Sequence, residues 1–166
     1  APTTLHAISS SPMSTAVVTG AGSGLGRAIA LELGNRGYLV HATDVDADAA
    51  ARTATEIGRG ARSAALDVRG EAACRALAAE AASGGSLDLW VNNAGVAPEV
   101  RADILDTTPE SWDRLLSTNL RGPFFATQAA ARSMIRLKQT ANPNDFLPRI
   151  IFITSISSTH ASVNRG

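Results

Sequence analysis

The chain is expected to fold as an α/β domain, a doubly wound parallel sheet in the strand order 3-2-1-4-5 with helices on both faces in three layers. Short apolar runs alternate with helical patterns along its whole length. Strict βα alternation implies right-handed crossovers and a parallel sheet covered on both sides. A glycine-rich turn, Gly20 to Gly26, follows the first apolar run and leads straight into a helical pattern. With 166 residues, 45% of them hydrophobic, and no long linker, one domain with a real core is the expected size.

The strands are expected at 15–19, 38–43, 62–66, 87–92 and 149–154. Between them the apolar spacing gives helices near 25–35, 46–57 and 70–83, then a long helical stretch from about 109 to 137. Thr108 is placed to cap that stretch, and Pro109 suits its first helical position. A break is expected at Arg121-Gly122-Pro123, because proline cannot continue an α-helical hydrogen-bond ladder. Residues 138–148 read as a polar, proline-bearing loop. Residues 1–12 read as a flexible arm ahead of a domain at 13–166.

The charge balance, 15 basic against 15 acidic residues, gives no reason to expect nucleic acid or a membrane surface as partner. No stretch approaches a membrane span. The arm lacks the charged start and apolar centre of a signal peptide. Cys74 is the lone cysteine, so neither a disulfide framework nor a zinc site is expected. These features together fit a reducing cytoplasm, and no metal is expected.

Chemistry enters with the glycines. Gly can take backbone angles closed to other residues and lets a ligand approach the main chain. A helix start beyond it offers unpaired N–H groups and a partial positive charge to an anion. The spacing Gly20, Gly24, Gly26 differs from the G-x-G-x-x-G dinucleotide fingerprint; a plain strand-to-helix turn is the alternative.

Asp44 follows the second strand, 18 residues after Gly26, where a carboxylate can accept hydrogen bonds from ribose hydroxyls and oppose a 2′-phosphate. Otherwise it is a solvated acid before the next helix, for which Asp46 and Asp48 serve equally well. Asp67-Val68 follows the third strand. Its carboxylate is placed to accept an adenine amine while Val68 packs on the ring, or else to cap the helix near Gly70. Asn92-Asn93-Ala94-Gly95 offers amides to tie strand ends together and small residues against which a flat ligand can lie.

In order along the chain, Thr19 to Gly26, Asp67-Val68, Asn92 to Gly95, Thr118-Asn119-Leu120 and the strand running into Ser155 make it resemble the short-chain dehydrogenases/reductases. It is similar to the bacterial 3-oxoacyl-(acyl-carrier-protein) reductases, over everything after the arm. The resemblance implies a Rossmann-like, NAD-binding fold and hydride transfer between NAD(H) and a carbonyl or secondary alcohol, a 3-oxoacyl thioester among the candidates. NADP is the less expected cofactor, because Asp44 opposes it and Ser23 stands where NADPH users often carry a basic residue. A sugar or small secondary alcohol competes as substrate.

By the same resemblance, Thr19, Gly20, Ser23, Gly24, Leu25 and Gly26 surround the pyrophosphate. Asp44, Val45, Asp67 and Val68 hold the adenosine, and Asn92, Asn93, Ala94, Gly95 and Thr154 line the rest of the cofactor. Asn119 would hold a water of the proton relay. Ser155 would hydrogen-bond the reacting oxygen, with Ser157 and Ser158 as competitors.

The family also uses a Tyr and, four residues later, a Lys. The only tyrosine here is Tyr38, far too early, so that pair is expected just past Gly166, with the last strands of the family fold. Residues 1–166 alone are therefore expected to be inactive. A non-catalytic NAD-binding fragment or nucleotide sensor is the alternative. Family dimers and tetramers pair through the helix at 109–137, and a homodimer or homotetramer is expected here.

Overall fold

The computed structural model describes residues 13–140 and 147–155. Five parallel strands form one sheet in the order β3-β2-β1-β4-β5, as expected from the alternation. They are β1 (Thr15–Thr19), β2 (Leu39–Asp44), β3 (Arg62–Ala65), β4 (Leu89–Asn92) and β5 (Arg149–Phe152). The helices are α1 (Gly24–Asn35), α2 (Ala47–Ile57), α3 (Glu71–Ala82), α4 (Pro109–Leu116) and α5 (Gly122–Thr140). β1 coincides with its apolar run, whereas β3, β4 and β5 are shorter than the runs that announce them. Leu87, Ile153 and Thr154 lie outside the ladder, and β2 runs one residue later than expected, so that Asp44 is its last residue.

Side-chain alternation divides the core. Ala16, Val18, Val40, Ala42, Leu89 and Val91 face α1 and α2, where Ala30 and Ala54 let the helices approach closely. On the other face the register aligns His41, Val17, Trp90 and Ile150 across four strands. That row meets Leu77 and Ala78 of α3 and Ala126, Ala130 and Met134 of α5. Trp90 is fully buried there, and burial of one large apolar side chain stabilises by roughly 1.5–3 kcal/mol.

The chain does not break at Gly122-Pro123. Ser117–Arg121 forms a π-helical segment that joins α4 to α5, and Gly122 N–H reaches the Ser117 carbonyl. The physical reason is Pro123 itself. It has no N–H and would crowd the carbonyl four residues back, so widening the preceding turn removes the clash without ending the helix. At the other end the expectation holds. Pro109 opens α4, and Thr108 Oγ1 accepts from Ser111 N at 3.3 Å. The arm, residues 141–146 and Ser157 and Ser158 lie outside the described residues.

Candidate active site at the carboxyl edge of the sheet

The ends of β1, β2 and β4 converge on the glycine turn. Thr19 Oγ1, buried at the end of β1, accepts from Asn93 N and Ala94 N, each at 3.1 Å. Asn93 Nδ2 in turn donates to the carbonyls of Thr19 and Gly20, both at 3.0 Å. The amide thus clamps the exit of β4 to the glycine turn. Gly20 and Gly26 are needed for space around this clamp. A Cβ on Gly26 would lie 2.1 Å from the Gly20 carbonyl oxygen and 2.3 Å from Asn93 Nδ2. One on Gly20 would lie 2.8 Å from the Ala94 Cα. Gly24, by contrast, has φ +53° and open space where a Cβ would be.

The start of α1, like that of α3 at Gly70, has no side-chain cap, but unlike that of α3, whose first turn carries Glu71, it holds no acidic residue. Asp46 caps α2 with bonds from Asp48 N and Ala49 N at 3.0 Å, and Thr108 caps α4. Ser23 stands at the α1 start with no side-chain bond to the first turn, which contains no acidic residue. Unsatisfied N–H groups and an unopposed helix dipole beside an open glycine are the donor set an anion such as a pyrophosphate requires. Large apolar side chains flank this turn in the open: Leu25 is 57% exposed and Val45 74%.

Asp44 closes the next side of the cleft. Its Oδ2 accepts from Gly22 N at 2.9 Å and its Oδ1 from Asp46 N at 3.0 Å. A cleft of about 240 Å³ lies beside it, lined by Gly20, Asp44, Val45, Asp67, Arg69 and Gly95 among others. Asp67 is not the helix cap; that position belongs to Gly70. Its Oδ1 accepts from Arg69 N at 3.0 Å and from Arg69 Nε at 2.9 Å, and its Oδ2 from Arg69 Nη2 at 2.6 Å. The Arg69 side chain holds the Asp67 carboxyl below its usual range. Val68 is 5% exposed and lies against the position of Gly122, so most of its surface serves the core.

Asn92 is a second departure from expectation. Rather than facing a cofactor, it is buried and accepts from Trp90 Nε1 at 3.0 Å while donating to Thr127 Oγ1 at 2.9 Å. It ties β4 to α5. Asn119 sits in the π-helical segment and uses both ends of its amide on one residue. It accepts from Val96 N and donates to the Val96 carbonyl, each at 2.8 Å. That pairing fixes the loop after Gly95, whose Cβ position would lie 3.3 Å from Asn119 Oδ1. Thr154 and Ser155 follow β5 at the same edge, both exposed. Ile153 N donates to the Asn92 carbonyl at 2.9 Å, which carries the β4–β5 pairing up to that point.

A second cavity of about 430 Å³ separates the loop after Val96 from α4. Arg114 borders both spaces; its Nη1 donates to the Ala97 carbonyl at 3.0 Å and its Nε lies 3.3 Å from Glu99. Gly22, Arg69, Arg114 and Thr127 escaped the reading of the sequence. Gly22 alone had a signal, its place inside the glycine turn. The others act on partners brought close by folding. Among the described residues no group of His, Cys, Asp and Glu is arranged to hold a metal, and no helix is long and apolar enough to cross a membrane.

The family model for short chain dehydrogenase matches residues 14–165. The chain belongs to the short-chain dehydrogenase family. This short-chain dehydrogenase is 42% identical over 122 residues to a sorbitol dehydrogenase of Cereibacter sphaeroides, covering 73% of the chain and 47% of that relative. It is 36% identical to a 3-oxoacyl-(acyl-carrier-protein) reductase of Aggregatibacter actinomycetemcomitans, covering 92% of the chain and 60% of the relative. A metagenomic short-chain oxidoreductase solved in complex with NADP superposes with a TM-score of 0.79 at 32% identity, over 93% of this chain and 69% of that one. The chain thus spans about half the length of curated relatives such as the sorbitol dehydrogenase.

Proposed function

We propose that this chain is the cofactor-binding part of an NAD-dependent oxidoreductase acting between a secondary alcohol and its carbonyl. One observation carries the choice of cofactor: Asp44 stands at the end of β2 with its carboxylate turned to the glycine turn by Gly22 N–H. On this reading the carboxylate accepts from the two hydroxyls of an adenosine ribose. Against a 2′-phosphate, two unit charges about 4 Å apart at an effective dielectric near 20 repel by roughly 4 kcal/mol. Half of that still exceeds a tenfold preference.

The residues present fit a dinucleotide. The uncapped start of α1 receives the pyrophosphate beside Gly24, and Val45 and Leu25 offer apolar walls. When bound, the nicotinamide gives or takes the hydride. Ser155 would hydrogen-bond the reacting oxygen. Asn119 holds the Val96 loop and, with it, the site of a relay water. The NADP in the metagenomic structure makes the choice of cofactor a matter for measurement.

For the substrate we favour a sugar alcohol, on the sorbitol dehydrogenase relative and on Asp44. A 3-oxoacyl thioester is the second reading, supported by the reductase that matches most of the chain. Calorimetric titration of the intact protein should give NAD at least about tenfold tighter than NADP, and Asp44→Ala should narrow the gap. Tighter NADP binding by the wild type would sink the assignment. Turnover with sorbitol and NAD against a 3-oxoacyl thioester and NADH separates the two substrates.

A further inference from the structure

We propose that Gly22 sets nucleotide preference by holding the Asp44 carboxylate in place. This rests on the reading of Asp44 as the ribose ligand. Gly22 has no positive φ, so its backbone is open to any residue. Its requirement is for space. A Cβ there would lie 2.8 Å from Asp44 Oδ2, 2.9 Å from Asp44 Cγ and 2.7 Å from the Ala49 Cβ.

The surroundings decide which piece yields. The turn cannot slide away, because Ala21 N donates to the Thr43 carbonyl at 2.8 Å and the Ala21 carbonyl accepts from Thr53 Oγ1 at 2.9 Å. Ala21 is fully buried between them. Ala49 belongs to the first turn of α2, which Asp46 caps. The carboxylate is the free end of a side chain, so it moves. It then leaves Gly22 N–H, the donor that aims Oδ2, and the geometry for gripping a diol goes with it. A glycine here therefore acts twice, as donor and as vacancy, while Ser23 next to it has no contact of this kind.

The test measures Kd for NAD and NADP on the intact protein, with Asp44→Ala, Gly22→Ala and the double variant. Gly22→Ala should weaken NAD at least about tenfold, since hydrogen bonds to a charged group are lost, and should change NADP by much less. In the Asp44→Ala background, adding Gly22→Ala should change the ratio of NAD to NADP affinity less than about twofold, because the selective effect runs through the carboxylate while the Ala49 contact bears on both nucleotides alike. Equal losses for both nucleotides, or additive changes of that ratio in the double variant, would overturn the proposal. If Gly22→Ala does not fold, Gly22→Ala with Ala49→Gly removes the helix-side clash. A preference for NAD in that pair equal to that of Ala49→Gly alone would also overturn it. A wild type with no preference for NAD, unmoved by Asp44→Ala, would instead refute the reading of Asp44 itself.

Discussion

His41 lies in the middle of β2 with 2% of its surface exposed, and its Nε2 is buried without a hydrogen-bond partner. Burial holds its pKa below the ordinary value; Glu80 on α3 opposes this and Arg62 on β3 adds to it. As pH falls below about 6.5 the unfolded chain takes up this proton before the folded one does. Stability is therefore lost through that window and present above it. Urea titrations at stepped pH should show His41→Phe losing less stability than wild type between about pH 7 and 5. An unchanged slope would count against it. Cys74 makes the opposite case. Burial, seconded by Asp67, raises its thiol, and its Sγ faces the Val68 carbonyl at 3.6 Å. A thiol reagent should modify it only after denaturation, because the thiolate is the reactive form; fast labelling of the native protein would contradict this.

Among the elements, the clamp formed by Thr19, Asn93 and Gly20 determines whether the edge of the sheet becomes a site. Gly26→Ala puts a methyl group against the Gly20 carbonyl and the Asn93 amide at once; the carbonyl is backbone, and the amide can yield only by breaking its bonds to Thr19 and Gly20. The expected cost is on the order of 1–3 kcal/mol of overpacking, with loss of nucleotide binding, read from denaturant midpoints and titration. Gly24→Ala meets only open space but must adopt positive φ, so its cost should be near 1 kcal/mol. The contrast separates crowding from backbone strain. At the far side of the site, Asn119→Leu leaves the Val96 N–H and carbonyl without their partner. Amide exchange at Val96 should accelerate while α5 stays protected.

For the whole molecule, the position of Tyr38 matters most. It lies at the amino end of β2, packed toward α1, while the cleft beside Asp44 opens at the carboxyl ends of the strands. The sole tyrosine of these residues cannot reach a substrate there. Tyr38→Phe should thus leave both turnover and nucleotide binding unchanged, although general acid–base catalysis by a phenol is commonly worth about 10²–10⁴-fold. In the intact protein Ser155→Ala should cripple turnover and spare NAD binding; turnover by this variant near the wild-type rate would refute the role of Ser155. Trp112, Leu116, Leu120 and Phe124 recur every four residues along α4, the π-helical segment and α5, each at least 37% exposed. We expect this stripe to be covered by a second copy, and light scattering on the intact protein should report at least a dimer.

By itself the sequence determined the parallel order of the sheet, the Thr108–Pro109 helix start and the glycine turn between β1 and α1. Each rests on local chemistry: periodicity, capping and the freedom of glycine. Asp44 was legible for the same reason, as an acid at a strand end at a fixed distance from the turn. Only the tertiary structure decided which polar side chains face the cleft. Asn92 and Asn93 are neighbours of identical chemistry, yet strand alternation sends one into the core toward Thr127 and the other onto the glycine turn. Asp67 surrendered its carboxylate to Arg69, and the expected break at Gly122-Pro123 became a widened turn. The value of Gly22 arises from Asp44 and Ala49, 22 and 27 residues away in sequence and within 3 Å of its missing Cβ in space. Such contacts follow from the register of β1 against β2 and the docking of α2, which no local pattern encodes.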